Sequence, residues 1–200
     1  MLKLYGMTKS EQTRAFIIEK TAPIFNKKGF AGTSLSDMTD ATNLTKGSIY
    51  GNFANKDEVA LAVFDYNLQK LNSITSQEMA KRQSVRDKLL VFGRVYADHA
   101  ELLPVGGCPI LNTAVDSDDT HPQLRSKAIA AISAWKKKIV GLVANGMHAK
   151  EFSKDINPEE IAITIIALVE GGSMLSRLTD KASYRKAVMK SLEDYISQIP

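Results

Sequence analysis

The stretch TSLSDMTDATNLTKGSIYGNFANKDE, residues 33–58, contains two short amphipathic segments in close succession. In the first segment, four apolar residues recur at helical spacing: Leu35, Met38, Ala41 and Leu44. In the second, Ile49 and Phe53 share a face. Between the segments, Asn43 tolerates the left-handed turn conformation and Thr45 can cap the second helix. The stretch therefore predicts a helix-turn-helix, whose second helix can enter a DNA major groove.

The second helix is unusual in the residues that it presents to solvent. With Ile49 and Phe53 turned inward, its outer face carries small or hydrogen-bonding residues: Lys46, Gly47, Ser48, Tyr50, Gly51 and Asn52. Each glycine weakens a helix by roughly 1 kcal/mol relative to alanine, which suggests close approach by another molecule. A phosphate backbone is one candidate. The alternative is a frayed connector between core helices.

These residues also carry a family resemblance. Gly29-Phe30, Thr33-Ser34, Asp37-Met38, the run 45–50, Phe53 and the run 55–58 resemble the DNA-binding domain of TetR-family transcriptional regulators. The resemblance implies a three-helix DNA-binding domain, a fourth helix starting near Lys56, a ligand-binding region and a homodimer. This sequence departs from the family pattern at Asn43, where the family often has glycine, and at Gly51, where it often has a bulky aromatic residue or histidine.

Reach and chemistry select the residues that are expected to contact DNA. Lys46 can bond a guanine edge or a phosphate, and Ser48 and Asn52 can address base edges. The Tyr50 hydroxyl suits a phosphate. Residues at helix starts lie beside amides that favour phosphates, although a plain capping role explains the threonines and Ser34 equally well. The candidate DNA-binding residues are Thr33, Ser34, Thr45, Lys46, Gly47, Ser48, Tyr50, Asn52 and Lys56. The resemblance matches Thr45, Lys46, Ser48, Tyr50 and Lys56 to positions that commonly touch DNA.

Composition is that of an ordinary soluble globular protein, with 200 residues, 44% hydrophobic and 24% charged. The net charge is only +4, so charge alone does not indicate nucleic-acid binding. The single cysteine excludes an internal disulfide and fits a reducing compartment. We find no export signal and expect no stretch long enough to span a membrane, since the apolar run 161–169 has only nine residues. A cytoplasmic location is therefore expected.

The remaining pattern predicts further helices. Thr8 and Glu11 have capping-box spacing, so a first helix is expected from Lys9 to about Lys28, ending at Gly29. Long helices are also expected over about 56–83 and 85–103. Together with the other helical segments these predict an all-α fold. The expected domains are a DNA-binding domain at 1–54 and an effector-binding and dimerisation domain at 55–200.

Cys108 precedes Pro109, which makes the cysteine the expected N-cap of a helix. The helix dipole stabilises a thiolate there, so one hypothesis is that Cys108 senses oxidants or electrophiles. The alternative is a small buried hydrophobic residue.

The run 161–169 is apolar at every position except Thr164, so two of its sides must be buried. The last two helices are therefore predicted to form a four-helix bundle across a two-fold axis. The predicted interface residues are Ile161, Ile165, Leu168, Gly172, Tyr184, Val188, Leu192 and Tyr195.

A mostly apolar effector pocket is predicted in the same region. Its candidate residues are Phe92, Tyr96, His99, Cys108, Trp135, Met147, Glu170, Met174 and Arg177. Each also has a plain core or interface interpretation. The three histidines are widely spaced, and no nucleophile motif or phosphate loop occurs, so we predict no enzyme activity, no metal and no cofactor.

The sequence thus predicts a ligand-responsive repressor that binds a palindromic operator as a dimer and is released by a small-molecule or electrophile effector. The alternative is a helical partner-binding protein without operator specificity.

Overall fold

The computed structural model describes residues 7–98 and 101–200, apart from the side chain of Asp98. Within these ranges the secondary structure is helical and contains no strand, which confirms the predicted all-α class. The helices are α1 Lys9–Gly32, α2 Leu35–Thr42, α3 Lys46–Tyr50, α4 Lys56–Ala80, α5 Val85–Asp98, α6 Pro109–Ser117, α7 Pro122–His148, α8 Pro158–Thr179 and α9 Ala182–Ser197.

Local capping signals set the starts of the first three helices. Thr8 and Glu11 form the expected reciprocal capping box at α1. Ser34 does the same with Asp37 at α2, and Asn43 ends that helix in the left-handed conformation at φ 53°. The Thr45 hydroxyl accepts a hydrogen bond from the Ser48 amide at 3.1 Å, which starts α3. The predicted helix-turn-helix is therefore confirmed.

The described chain divides into two compact units. The first contains the described residues up to Gln69 together with Pro104–Ala128. Its core includes Met38, Ile49 and Phe53, which the sequence placed on inward faces, together with Ile17 and Val59. Burial of this apolar surface stabilises the arrangement of α1, α2 and α3.

The second unit contains Lys70–Leu103 and Ile129–Pro200. Within it α9 packs against both α5 and α8. A Cβ added to Gly172 would lie 2.8 Å from a Val188 methyl, so the glycine permits close approach of α8 and α9. The boundaries of these compact units differ from the predicted domain boundary between residues 54 and 55. The predicted division into a DNA-binding and an effector-binding domain concerns function, and it remains a proposal.

Two expectations about helix length need correction. Residues 101 and 102 form a turn, so the helix expected to run to Leu103 stops short of it. The helix α8 has 22 residues and contains an 18-residue window with a mean hydropathy of 1.6, so by length and composition it could cross a membrane. The nine-residue run gave too short an apolar length, because apolar residues continue along the helix beyond residue 169. One such helix is weak evidence, since a helix buried on two faces has the same composition.

Candidate nucleic-acid interface and effector site

The helix α3 presents its N-terminal half to solvent. Ile49 is 0% exposed and anchors the helix, whereas Thr45, Lys46 and Gly47 are exposed and Ser48 is half-buried. Tyr50 is also half-buried. The first-turn amides, the Lys46 ammonium and two hydroxyls therefore lie at one helix end, an arrangement that suits contacts to phosphates and to base edges in a major groove.

Nothing inside the protein requires a glycine at position 47. A Cβ there would meet no heavy atom closer than the Thr45 Oγ1 at 3.8 Å, an ordinary van der Waals distance. The residue lies within α3, where glycine is unfavourable relative to alanine. The contacts within the protein therefore give no steric reason for a glycine at this position.

Both the nitrogen and the oxygen of the Asn52 carboxamide form hydrogen bonds within the protein. Its Nδ2 donates to the Ser48 carbonyl at 2.9 Å, and its Oδ1 accepts from the Ser10 hydroxyl at 3.2 Å. The residue is half-buried in the turn after α3. A base contact by Asn52 would have to replace or share these hydrogen bonds.

Thr33 and Lys56 hold the junction between α1 and α2. Thr33 is 1% exposed and its hydroxyl donates to the Gly29 carbonyl at 2.7 Å, so its side chain has no surface for a phosphate. This corrects its selection as a contact residue. The Lys56 ammonium donates to the carbonyls of Phe30 and Thr33 at 2.8 and 2.9 Å and lies 4.2 Å from the Phe30 ring centroid. One Lys56 N–H beyond these two bonds is available to a phosphate.

Ser34 remains exposed at the start of α2 while its hydroxyl caps the Asp37 amide. The Lys28 ammonium donates to the Asp37 carboxylate at 2.6 Å. This bond, followed by those from the Ser34 amide and hydroxyl, lowers the pKa of Asp37 to about 2. The carboxylate is therefore ionised at neutral pH, and Lys28 offsets its negative charge beside the candidate interface.

Sequence reasoning missed Arg14, which lies on α1 but fixes the turn after α3. Its guanidinium donates to the Asn52 carbonyl and to the Glu58 carboxylate, and lies 3.9 Å from the Phe53 ring centroid. The Glu58 carboxylate also accepts from the Ala54 amide, and this bond together with Arg14 lowers the pKa of Glu58. These partners lie 38 and 44 residues from Arg14, so no spacing rule reveals them.

The candidate effector residues are not gathered in one place. Phe92, Tyr96 and Trp135 are buried in the second unit, where the rings of Phe92 and Trp135 meet edge to face with centroids 5.6 Å apart. Met147 and Glu170 are half-buried there. The other candidates are not buried in the second unit. Met174 and Arg177 lie at the surface, and Cys108 is buried in the first unit. His99 lies outside the described residues.

The predicted dimer face also needs correction. Ile161, Ile165, Gly172 and Leu192 are buried within one protomer, where α8 packs on α5 and α9, so they are not available to a second chain. Leu168, Val188 and Tyr195 are half-buried and Tyr184 is exposed. The exposed apolar stripe of α8 lies on its opposite face and contains Ile163, Ala167, Met174 and Leu178. Their spacing of four or seven residues keeps them on one side of the helix.

Comparison with known proteins gives matches over both parts of the chain. The family described as "Bacterial regulatory proteins, tetR family" matches residues 17–63, which include the helix-turn-helix. The family described as "Tetracyclin repressor-like, C-terminal domain" matches residues 86–192.

Solved structures and curated relatives agree with these matches. A TetR-family regulator of Cytophaga hutchinsonii is 50% identical, with a TM-score of 0.94, and the match covers 96% of this chain and 97% of that one. A TetR regulator of Chloroflexus aurantiacus is 39% identical, with a TM-score of 0.90 and coverage of 96% and 98%. The transcriptional repressor DhaR of Mycobacterium sp. (strain GP1) is 25% identical over 82% of each chain. Such regulators are DNA-binding transcription factors and not enzymes. The chain therefore belongs to the TetR family, as a ligand-responsive DNA-binding transcriptional regulator.

Proposed function

We propose that this protein is a repressor that binds a palindromic operator as a homodimer and leaves it when an effector binds. The observation that carries this proposal is the exposed start of α3, with Lys46 beside a glycine that has no internal steric reason. In a dimer, two such helices enter successive major grooves of the duplex, about 34 Å apart. The name of the relative DhaR, a repressor, supports this direction of regulation.

Each candidate contact has a proposed partner. Lys46 bonds a phosphate or a guanine edge and Ser48 addresses a base edge, because both lie in the first turn of α3 and carry donors. Thr45, Ser34 and Tyr50 bind phosphates, the first two while they also cap their helices. Lys56 uses its remaining N–H for a phosphate. Asn52 acts through the Ser48 carbonyl as a positioning residue for α3.

The exposed stripe of α8 is the proposed dimer face. Leu178 is 78% exposed in the single chain, and Ile163 and Met174 are also exposed. A second copy that covers this stripe would explain why α8 is apolar on both sides. Tyr184 at the start of α9 lies at the edge of the same proposed interface. A soluble dimer of this type acts in the cytoplasm.

The effector is proposed to be a small molecule that binds among the aromatic side chains of the second unit, at Phe92, Tyr96 and Trp135. An electrophile at Cys108 is the other proposed route. Cys108 is 1% exposed at the start of α6, so an electrophile reaches it only after local opening of that segment.

Selection of bound duplexes from a random DNA pool tests this proposal, with and without a thiol-reactive compound. We expect a two-fold symmetric consensus that the unmodified protein binds. The thiol arm is repeated with Cys108→Ser, and equal loss of binding in both proteins would exclude Cys108 as the sensor. Recovery of no consensus at low salt would overturn the operator-binding proposal and favour a helical partner-binding protein.

A further inference from the structure

A half-enclosed cavity of about 30 Å³ lies within the first unit, and no residue of α3 is among those that line it. It lies between the C-terminal part of α1, the first half of α4 and α6. Its walls include the rings of Phe25, Phe30 and Phe64 and the polar side chains of Asn67, Thr113 and Asp116. A space of this size holds one small ion or one to two water molecules.

Asn67 is a buried polar residue whose hydrogen bonding is incomplete. It lies in the interior of α4 and is only 4% exposed. Its Nδ2 makes one long bond, to the Ala22 carbonyl at 3.4 Å, which orients the carboxamide. Among the described residues no donor reaches its Oδ1. The Asn67 Oδ1 therefore remains able to accept a hydrogen bond from a donor inside the cavity.

The hydroxyl of Thr113 makes no hydrogen bond within the described part of the chain. Other helical threonines behave differently, because the hydroxyls of Thr21, Thr42 and Thr75 each donate to the carbonyl four residues earlier. Thr113 therefore adds a second oxygen to the cavity wall that can accept a hydrogen bond.

Asp116 supplies negative charge at the same place. Its Oδ2 accepts from the Phe30 amide at 2.6 Å, where α1 breaks at Gly29. Over residues 7–98 and 101–200 no lysine, arginine or histidine forms an ion pair with Asp116, whereas the neighbouring Asp118 pairs with Arg125. A half-buried carboxylate without a cationic partner attracts a cation.

The carboxamide donors of Asn26 and Asn112 beside the cavity are engaged by carbonyls of the protein. The Asn26 Nδ2 donates to the carbonyls of Val105 and Gly107, both at 3.0 Å. The Asn112 Nδ2 donates to the carbonyls of Asn26 and Gly106 at 2.9 and 2.8 Å. One N–H of Asn67 and the Thr113 hydroxyl can still donate, but the one charged group among the lining residues is the Asp116 carboxylate, which lies with two oxygen acceptors among aromatic rings. A small cation with several N–H donors matches this set better than an anion or an apolar molecule.

We propose that this cavity binds the ammonium group of a small protonated amine, with Asp116, Asn67 and Thr113 as its acceptors. The proposal does not rest on operator binding, because every residue that carries it lies within the first unit. It adds a site that is separate from the aromatic residues proposed above for the effector.

Thermal and urea unfolding of the full chain test the site, with ammonium and methylammonium chloride as probes. Sodium and tetramethylammonium chloride at equal ionic strength are the references, since neither offers N–H donors. A ligand that binds only the folded state lowers the apparent unfolding constant about 11-fold at ten times its dissociation constant. We expect a saturable rise in stability with ammonium that the two reference salts do not produce.

Variants connect the response to the cavity. Asp116→Asn keeps an acceptor for the Phe30 amide but removes the charge, and Thr113→Val removes one acceptor at nearly constant volume. Both are expected to lose most of the ammonium response. Asp118→Asn is the matched control, because Asp118 is exposed two residues away, and it should respond like the wild type. Equal stability in all four salts, or an undiminished response in both cavity variants, would overturn the proposal and leave a site for water only.

Discussion

Replacing Gly47 with alanine should move stability and DNA binding in opposite directions. The added methyl meets nothing closer than 3.8 Å in the protein, so the helix preference of alanine should stabilise the fold by roughly 0.5–1 kcal/mol. For a chain of this length that raises Tm by about 1–4 °C. If a phosphate or base edge occupies the same space, a methyl there costs about 1–3 kcal/mol. Affinity should then fall roughly five- to 150-fold.

Urea unfolding measures the first effect, and fluorescence anisotropy with the selected duplex at fixed salt measures the second. Gly141→Ala is the matched control, since Gly141 is exposed within α7 and has no heavy atom within 4 Å of an added Cβ. It should stabilise the protein by a similar amount and leave DNA affinity unchanged. Unchanged affinity in Gly47→Ala would refute the proposed close approach of DNA to α3.

Three further predictions concern charge and assembly. Lys46→Ala should weaken DNA binding and reduce the slope of log affinity against log salt concentration by about 1. The control Lys137→Ala, on α7, should change neither quantity. An unchanged slope in Lys46→Ala would show that Lys46 does not contact a phosphate. The lowered pKa of Asp37 means that its stabilising contribution is complete above its unfolded pKa of about 4 and is lost as pH falls towards 2. The difference in Tm between wild type and Asp37→Asn should therefore narrow over that window, and a constant difference would contradict the assignment. Leu178→Asp should convert a dimer into monomers in sedimentation experiments, while Val115→Asp, at an equally exposed valine of α6, should leave the dimer intact.

The parts that could be predicted from sequence are those in which cause and effect lie within a few residues. The capping box of Ser34 and Asp37, the left-handed Asn43 and the Thr45 cap each depend on partners no more than three residues away. Their side-chain chemistry therefore specifies the turn without knowledge of the rest of the fold. The inward positions of Met38 and Ile49 follow from helical periodicity in the same way.

Contacts that join distant segments could not be predicted in this way. The Asp116 carboxylate reaches the Phe30 amide across 86 residues, and Arg14 reaches Glu58 across 44. Both pairs depend on how complete helices pack, which the spacing of residues along the chain does not determine. The same limit applies to the cavity, because its oxygen acceptors are contributed separately by α4 and α6.

Helix α8 shows which features of a helix follow from the periodicity of its sequence and which depend on tertiary packing. Its apolar character on all sides predicts that two faces require cover, and one of these faces meets the protomer core. Periodicity cannot assign the two faces when both are apolar, and the predicted interface residues Ile161 and Ile165 are instead in the core. The assignment follows from the close contact of Gly172 with Val188, which turns one side of α8 towards α9. With this side of α8 packed on α9, Ile163, Met174 and Leu178 face outward. The sedimentation of Leu178→Asp therefore tests the exposed face of α8 as the dimer interface, and not the face that was predicted from the sequence.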